Sequence, residues 1–128
     1  MKNKNFIYPL IIMGVVLMLS ISCKKEEKKI GKNWKLIKYE ENGQQIAISG
    51  SICLNISSDG TYNTNASFFP TGGGTWSLSD DASHLLLFSD YGNTYEFSIA
   101  KLTNKVLTLY DEIDPSTGNW SNSYWEPY

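Results

Sequence analysis

Histidine and cysteine are nearly missing from this chain: 128 residues hold one His and two Cys. A four-ligand zinc site would have to borrow carboxylates, and neither Cys-x-x-Cys nor His-Glu-x-x-His spacing occurs. Neither a metal centre nor a bound cofactor is expected. An excess of one charge is missing as well, with 11 Lys plus Arg against 13 Asp plus Glu and a formal net charge of −2. Without a clustered basic face there is nothing to neutralise phosphates, so nucleic acid is excluded as a partner class. Gly72-Gly73-Gly74 has no following Lys-Ser/Thr and opens no helix, which excludes a phosphate-cradling loop. The length accommodates one domain.

What is present begins with an address. Lys2 and Lys4 give a basic start, and Phe6 to Leu19 is apolar apart from Tyr8, Pro9 and Gly14. At about 14 residues the stretch is shorter than the ~20 residues needed to cross a bilayer as a helix, so it reads as a signal peptide over residues 1–22. It ends in Leu19-Ser20-Ile21-Ser22-Cys23, which resembles the bacterial lipoprotein cleavage site, although Ser20 stands where the pattern usually has Leu. The resemblance implies lipidation of Cys23 as the mature N-terminus and a membrane partner reached through that lipid. The alternatives are a secreted protein cleaved nearby with Cys23 free and an uncleaved anchor. Lys24-Lys25-Glu26-Glu27-Lys28-Lys29 carries no apolar side chain and is expected to be a solvated tether, residues 23–30 with the lipidated Cys. Cys-Lys followed closely by two acids also resembles signals that carry some Gram-negative lipoproteins to the cell surface. Outer-membrane attachment is therefore expected, on the periplasmic or the cell-surface face.

With Cys23 lipidated, Cys53 has no partner for an intramolecular disulfide. Its setting, Ser51-Ile52-Cys53-Leu54-Asn55-Ile56, is a strand-like alternation without a base beside it, so a small buried residue is expected rather than a nucleophile. The other catalytic candidates are equally bland. Glu40-Glu41, Asp80-Asp81 and Asp111-Glu112 with Asp114 are paired carboxylates, the raw material of glycoside hydrolysis, but each lies at a strand end or turn. His84 follows Ser83 without a nucleophile elbow. No enzyme is expected.

From Gly31 onward, clusters of Gly, Asn, Asp, Ser and Thr separate short apolar alternations, and no segment sustains helical periodicity. Eight strands are predicted: 33–41, 50–57, 61–67, 74–78, 84–89, 94–101, 106–111 and 120–126. Residues 44–50 read as a helical turn or a wide loop. No connection is long enough for a parallel crossover, so neighbours pair antiparallel, and closing the sheet removes its exposed edges. The expected fold is all-β, an eight-stranded up-and-down barrel over residues 31–128. Trp34, Leu36, Ile52, Leu54, Ile56, Trp76, Leu78, Tyr95, Phe97, Ile99, Leu107 and Leu109 are expected to face inward. Asn55, Glu96, Ser98, Lys105 and Thr108 are expected to face solvent. His84-Leu85-Leu86-Leu87-Phe88 is apolar on both faces, and is either covered or partly exposed.

Trp34-x-Leu36, Asp59-Gly60-Thr61-Tyr62, Gly74-Thr75-Trp76-Ser77-Leu78, Tyr95-x-Phe97-x-Ile99-x-x-Leu102 and Leu107-x-Leu109, in that order, resemble the small lipocalin-like domains of bacterial lipoproteins. The chain is shorter than lipocalins, has Gly31-Lys32-Asn33-Trp34 in place of Gly-x-Trp, and lacks a long helix before the last strand, departures that argue against a roomy cup. The resemblance implies a non-catalytic barrel that binds a small apolar ligand. Trp34, Leu54, Tyr62, Phe68, Phe69, Trp76, Tyr95 and Phe97 are its candidate contacts, with Cys53, Asn63 or Thr64 offering polar groups. Phe68-Phe69 precedes a flexible glycine run, as a mouth or lid pair or as hairpin packing. The other reading is a cell-envelope interaction module that meets a protein or glycan through its outer surface or through Trp120, Tyr124 and Trp125.

Overall fold

A computed structural model describes residues 25–69, 72–114 and 116–128. The signal segment, Cys23 and Lys24 lie outside the described residues. Among the described residues nine strands form one antiparallel sheet: β1 (Asn33–Glu41), β2 (Gln44–Ile46), β3 (Cys53–Ile56), β4 (Thr61–Thr64), β5 (Gly72–Leu78), β6 (His84–Ser89), β7 (Thr94–Leu102), β8 (Leu107–Asp114) and β9 (Asn119–Pro127). Each of β3 to β8 pairs with the next strand, β3 pairs with β1, and β9 returns to β1, from Trp34 opposite Pro127 to Glu41 opposite Ser121. This is a closed, eight-stranded up-and-down barrel, as the turn spacing predicts. The short β2 is an addition, lying beside the last residues of β1 while β3 takes the first.

Residues 44–50 are thus partly strand. Asn42 (φ 51°) and Gly43 (φ 83°) make a two-residue reversal of the kind that positive φ at both positions favours, and it places Gln44 directly opposite Glu41. Asn42 also fastens that turn to β9. Its backbone N–H donates to the Trp120 carbonyl at 2.9 Å, and its side-chain oxygen accepts from the Trp120 N–H at 3.0 Å.

The closed end is sealed by a helical turn, residues 25–30. Its charged side chains remain at least partly exposed, but Ile30 is fully buried, and its carbonyl accepts a 2.8 Å bond from the buried indole Nε1 of Trp34. The folded domain therefore begins within the stretch that composition alone reads as tether, because one isoleucine and one carbonyl dock its last turn onto the barrel. Among the described residues no helix is long and apolar enough to cross a membrane.

Three register shifts re-aim side chains: Leu36/Lys38, Ile99/Lys101 and Glu112/Asp114. The first matters most. Trp34 and Leu36 point inward, Ile37 is the extra residue and half-exposed, and after it the inward face passes to Tyr39 and Glu41. The core comprises Trp34, Leu54, Leu85, Leu107 and Trp125, all fully buried, with Leu36, Ile56, Phe97 and Leu109 nearly so. Ile52, Leu78 and Ile99 are only partly buried against it.

Several expectations are corrected. Tyr95 occupies the inward face but is 37% exposed, because it sits only two residues beyond the turn at the barrel's open rim. Thr108 is buried rather than solvated, flanked in register by the long side chains of Lys101 and Tyr124. Cys53 lies on the outer face and is half-buried, since its neighbour Leu54 takes the interior. In β6, Leu85 and Leu87 fill the core while Phe88 is left exposed.

Candidate binding site at the barrel mouth

The mouth lies at the end opposite the helical turn, where the β1–β2 hairpin, residues 47–52 and residues 65–69 meet. The segment after β4 folds over the opening and inserts its aromatics. Ala66 is fully buried and Phe69 nearly so. The Phe69 ring centre lies 4.4 Å from that of Phe97 and 5.5 Å from that of Trp125. Phe68 meets Phe69 edge-on at 5.0 Å and stacks on Tyr39 at 4.4 Å. Such contacts stabilise beyond area burial, by about 0.5–1.5 kcal/mol per pair. The barrel is filled at this end by its own rings.

Phe68 is the outermost of these rings, and a groove of about 380 Å³ opens beside it. Leu36, Ile46, Ile48 and Ile52 supply its apolar wall with Phe68, and Tyr39 and Glu41 stand at one side. Ile46 is 40% exposed, a large aliphatic surface held open to solvent on the short β2 arm. The groove exists because the chain leaves β1 for β2 and then crosses back to β3, so that residues 47–52 stand away from the plug.

The polar edge of the mouth is acidic. The Tyr39 hydroxyl donates to Glu41 Oε1 at 3.1 Å and also interacts with Ser121. Ser121 lies in register with Glu41 on one side and Asp111 on the other, so two carboxylates flank one serine on the inward face. Burial pushes the Tyr39 hydroxyl above its ordinary pKa, and the charges of Glu41 and Asp111 add to the shift. Burial also raises the Asp111 carboxyl, assisted by the charge of Glu112. Lys38 projects from the other face, 5.2 Å from the centre of the Tyr124 ring and 3.9 Å from Glu40. No lysine lines the groove among the described residues.

The predicted site residues divide between two ends. Phe68, Phe69 and Phe97 come together at the mouth, but Phe69 and Phe97 act as filling rather than as open contacts. Trp34 and Trp76 serve the closed end. The Trp76 indole donates to the Ser57 carbonyl at 2.7 Å and borders a separate cleft of about 390 Å³ with Glu27, Lys28, Gly31 and Ser58. Leu54 is wholly interior. Tyr62 is buried with its hydroxyl unpartnered, and the space over its strand neighbour Gly74 is tight, since a Cβ there would fall on the Phe88 carbonyl oxygen. Asn63 faces outward and Thr64 bonds the Cys53 carbonyl at 2.8 Å, so neither reaches the groove.

The C-terminal aromatics are also placed. Trp125 is fully buried and donates to Ser123 Oγ at 2.8 Å, which removes it from any exposed interaction set. Trp120 is half-buried against Tyr110, and Tyr124 is half-buried beneath Lys38. Sequence reasoning missed Tyr39, Ile46 and Ile48, and it noted Glu41 only as one of a carboxylate pair at a strand end. The Asn42-Gly43 turn signal marks where β1 ends, but nothing in the sequence marks the bulge at Ile37 that turns Tyr39 and Glu41 inward.

His84 and its neighbours form a turn network. Asp81 Oδ1 accepts from Ser83 Oγ at 2.6 Å, Ser79 Oγ at 2.9 Å and the Ser83 N–H at 3.1 Å, which lowers its pKa to about 2. Ser83 Oγ lies 2.7 Å from His84 Nδ1, and His84 Nε2 is 3.9 Å from Glu96, beyond hydrogen-bond reach. Among the described residues no three His, Cys, Asp or Glu side chains gather in a way that could hold a metal ion.

No protein-family model matches the chain, and no curated protein matches it.

Proposed function

We propose that this chain is an outer-membrane lipoprotein, anchored through Cys23, whose lipocalin-like barrel binds a small apolar molecule at its mouth without catalysis. The observation that carries the binding reading is the groove beside Phe68, where Leu36, Ile46, Ile48 and Ile52 present an apolar wall to solvent next to an interior already filled by Phe69, Phe97 and Trp125. Small-molecule sites are concave, mostly apolar and edged by a few polar groups, a description that this groove fits. Affinity would come from removing the ligand's apolar surface from water, at about 25 cal/mol per Å². The anchoring reading rests on the signal-like N-terminus and on Cys23, as sequence.

Two measurements test it. Mass spectrometry of the N-terminal peptide is expected to show a lipid adduct on Cys23, and Cys23→Ala to release the protein from the membrane fraction. An anilinonaphthalene dye titrated into the protein is expected to gain fluorescence on binding, and Ile48→Asp to abolish the gain. A dye response indifferent to Ile48→Asp and Ile46→Asp would remove the mouth from the reading. The competing idea of an interaction module built on the C-terminal aromatics is weakened by the burial of Trp125 and the half-burial of Trp120 and Tyr124.

A further inference from the structure

The mouth combines two features that select among apolar ligands. Its wall is aliphatic and aromatic, while its polar edge carries Glu41, uncompensated by any lysine among the described residues that line it. Glu41 belongs to the groove, and Asp111 stands two strands away in the same register row, across Ser121. The basic side chains that could neutralise them are placed elsewhere: Lys38 lies on the outer face, paired with Glu40 and Tyr124, Lys32 reaches Asn104 at the closed end, and Lys29 pairs with Glu26 there.

We infer that the ligand of the mouth groove is a small cationic amphiphile, an apolar body lying along Ile46, Ile48, Ile52 and Phe68 with an ammonium group at Glu41. This inference rests on the proposed binding function and names the ligand class for that same site. A groove of about 380 Å³ is at the small end of ligand sites, which suits one ring with a short chain or a chain of comparable length. Glu41 is exposed at the groove edge, and the Tyr39 hydroxyl bonded to its Oε1 fixes the carboxylate there. Asp111 adds negative field without direct contact. Burial raises both the Tyr39 hydroxyl and the Asp111 carboxyl, and neighbouring carboxylate charge adds to each shift. An anionic ligand such as a fatty acid would meet like charge at this edge, and a neutral one would lack the charge–charge attraction that an ammonium group gains.

The test compares three probes with the same apolar body, phenylbutylamine, phenylbutanol and phenylbutyrate, by isothermal titration into the full-length protein. The amine is expected to bind about tenfold more tightly than the alcohol, in keeping with a hydrogen bond to a charged group, and the carboxylate most weakly. Glu41→Gln is expected to bring the amine close to the affinity of the alcohol, weakening the amine more than the alcohol. Asp111→Asn is expected to narrow the gap by a smaller factor, and added salt to narrow it in the unaltered protein. Equal binding of amine and alcohol, or tighter binding of the carboxylate, overturns the cationic class while the mouth groove survives. Absence of binding by all three, together with a dye response indifferent to Ile48→Asp, overturns the groove itself.

Discussion

The ring of Phe69 lies 4.4 Å from that of Phe97, and this contact closes the open end of the barrel from within. Phe97 comes from the middle of β7, and Phe69 from a connection five residues past the end of β4. A loop side chain thus completes the core that the strands leave open, and the proposed binding surface lies outward, on the face of Phe68.

Phe69→Ala should therefore behave as a core truncation, costing about 3–5 kcal/mol. Phe68→Ala, at a half-buried site, should cost less than Phe69→Ala but should weaken binding of an apolar dye at the mouth. Urea denaturation of both variants, with the dye titration repeated on each, separates the two roles. Equal destabilisation by the two substitutions would contradict the division between plug and groove wall.

Gly74→Ala should be among the most damaging single changes. A Cβ at that position would overlap the Phe88 carbonyl oxygen on β6 and crowd the Ser89 backbone, neither of which can move without breaking the ladder. Gly43→Ala provides a control. There the Cβ meets open space, and the cost is confined to the φ of +83°, about 1 kcal/mol. Thermal melts of the two variants should differ widely, with Gly74→Ala far lower.

Acid sensitivity should trace to the turns. Asp81, held at about 2 by Ser83 and Ser79, and Asp59, lowered by Thr61 and Ser57, both bind protons less readily in the fold than in the unfolded chain. The stability that they contribute is present above the ordinary carboxylate range and is lost as pH falls from about 4 toward 2. Asp81→Asn should flatten that part of the stability profile, measured by denaturant midpoint against pH.

Asp111 should show the opposite sign. Its carboxyl is raised by burial, so the fold holds its proton more tightly than the unfolded chain does, and stability falls as pH rises through the raised value. Asp111→Asn should remove this penalty and leave the protein slightly more stable at neutral pH, by under about 1 kcal/mol, a typical size for such a partly exposed site. A lower denaturant midpoint at neutral pH would show that ionised Asp111 has a compensating partner.

Much of the fold was legible because strand and turn signals are local. The bounds of β1 and β6 follow directly from Asn42-Gly43 and from the apolar run His84 to Phe88, and the other barrel strands lie within a few residues of the alternation that marks them, whereas β2 falls where a helical turn or wide loop was expected. Closure followed from the lack of any long connection. The site was less legible. Trp34, Leu54 and Phe97 were recognisable as inward residues, but inwardness does not distinguish filling from lining, since that depends on what enters from the opposite wall.

The sequence by itself therefore determined an antiparallel barrel and the residues of its walls, because side-chain alternation and reversal chemistry are written in neighbours. Only the tertiary structure decided that the barrel is plugged, that Trp125 is core, and that Tyr39 and Glu41 face the mouth. Each of those outcomes depends on a contact between distant segments or on one extra residue at Ile37, which reverses the inward parity of everything after it in β1.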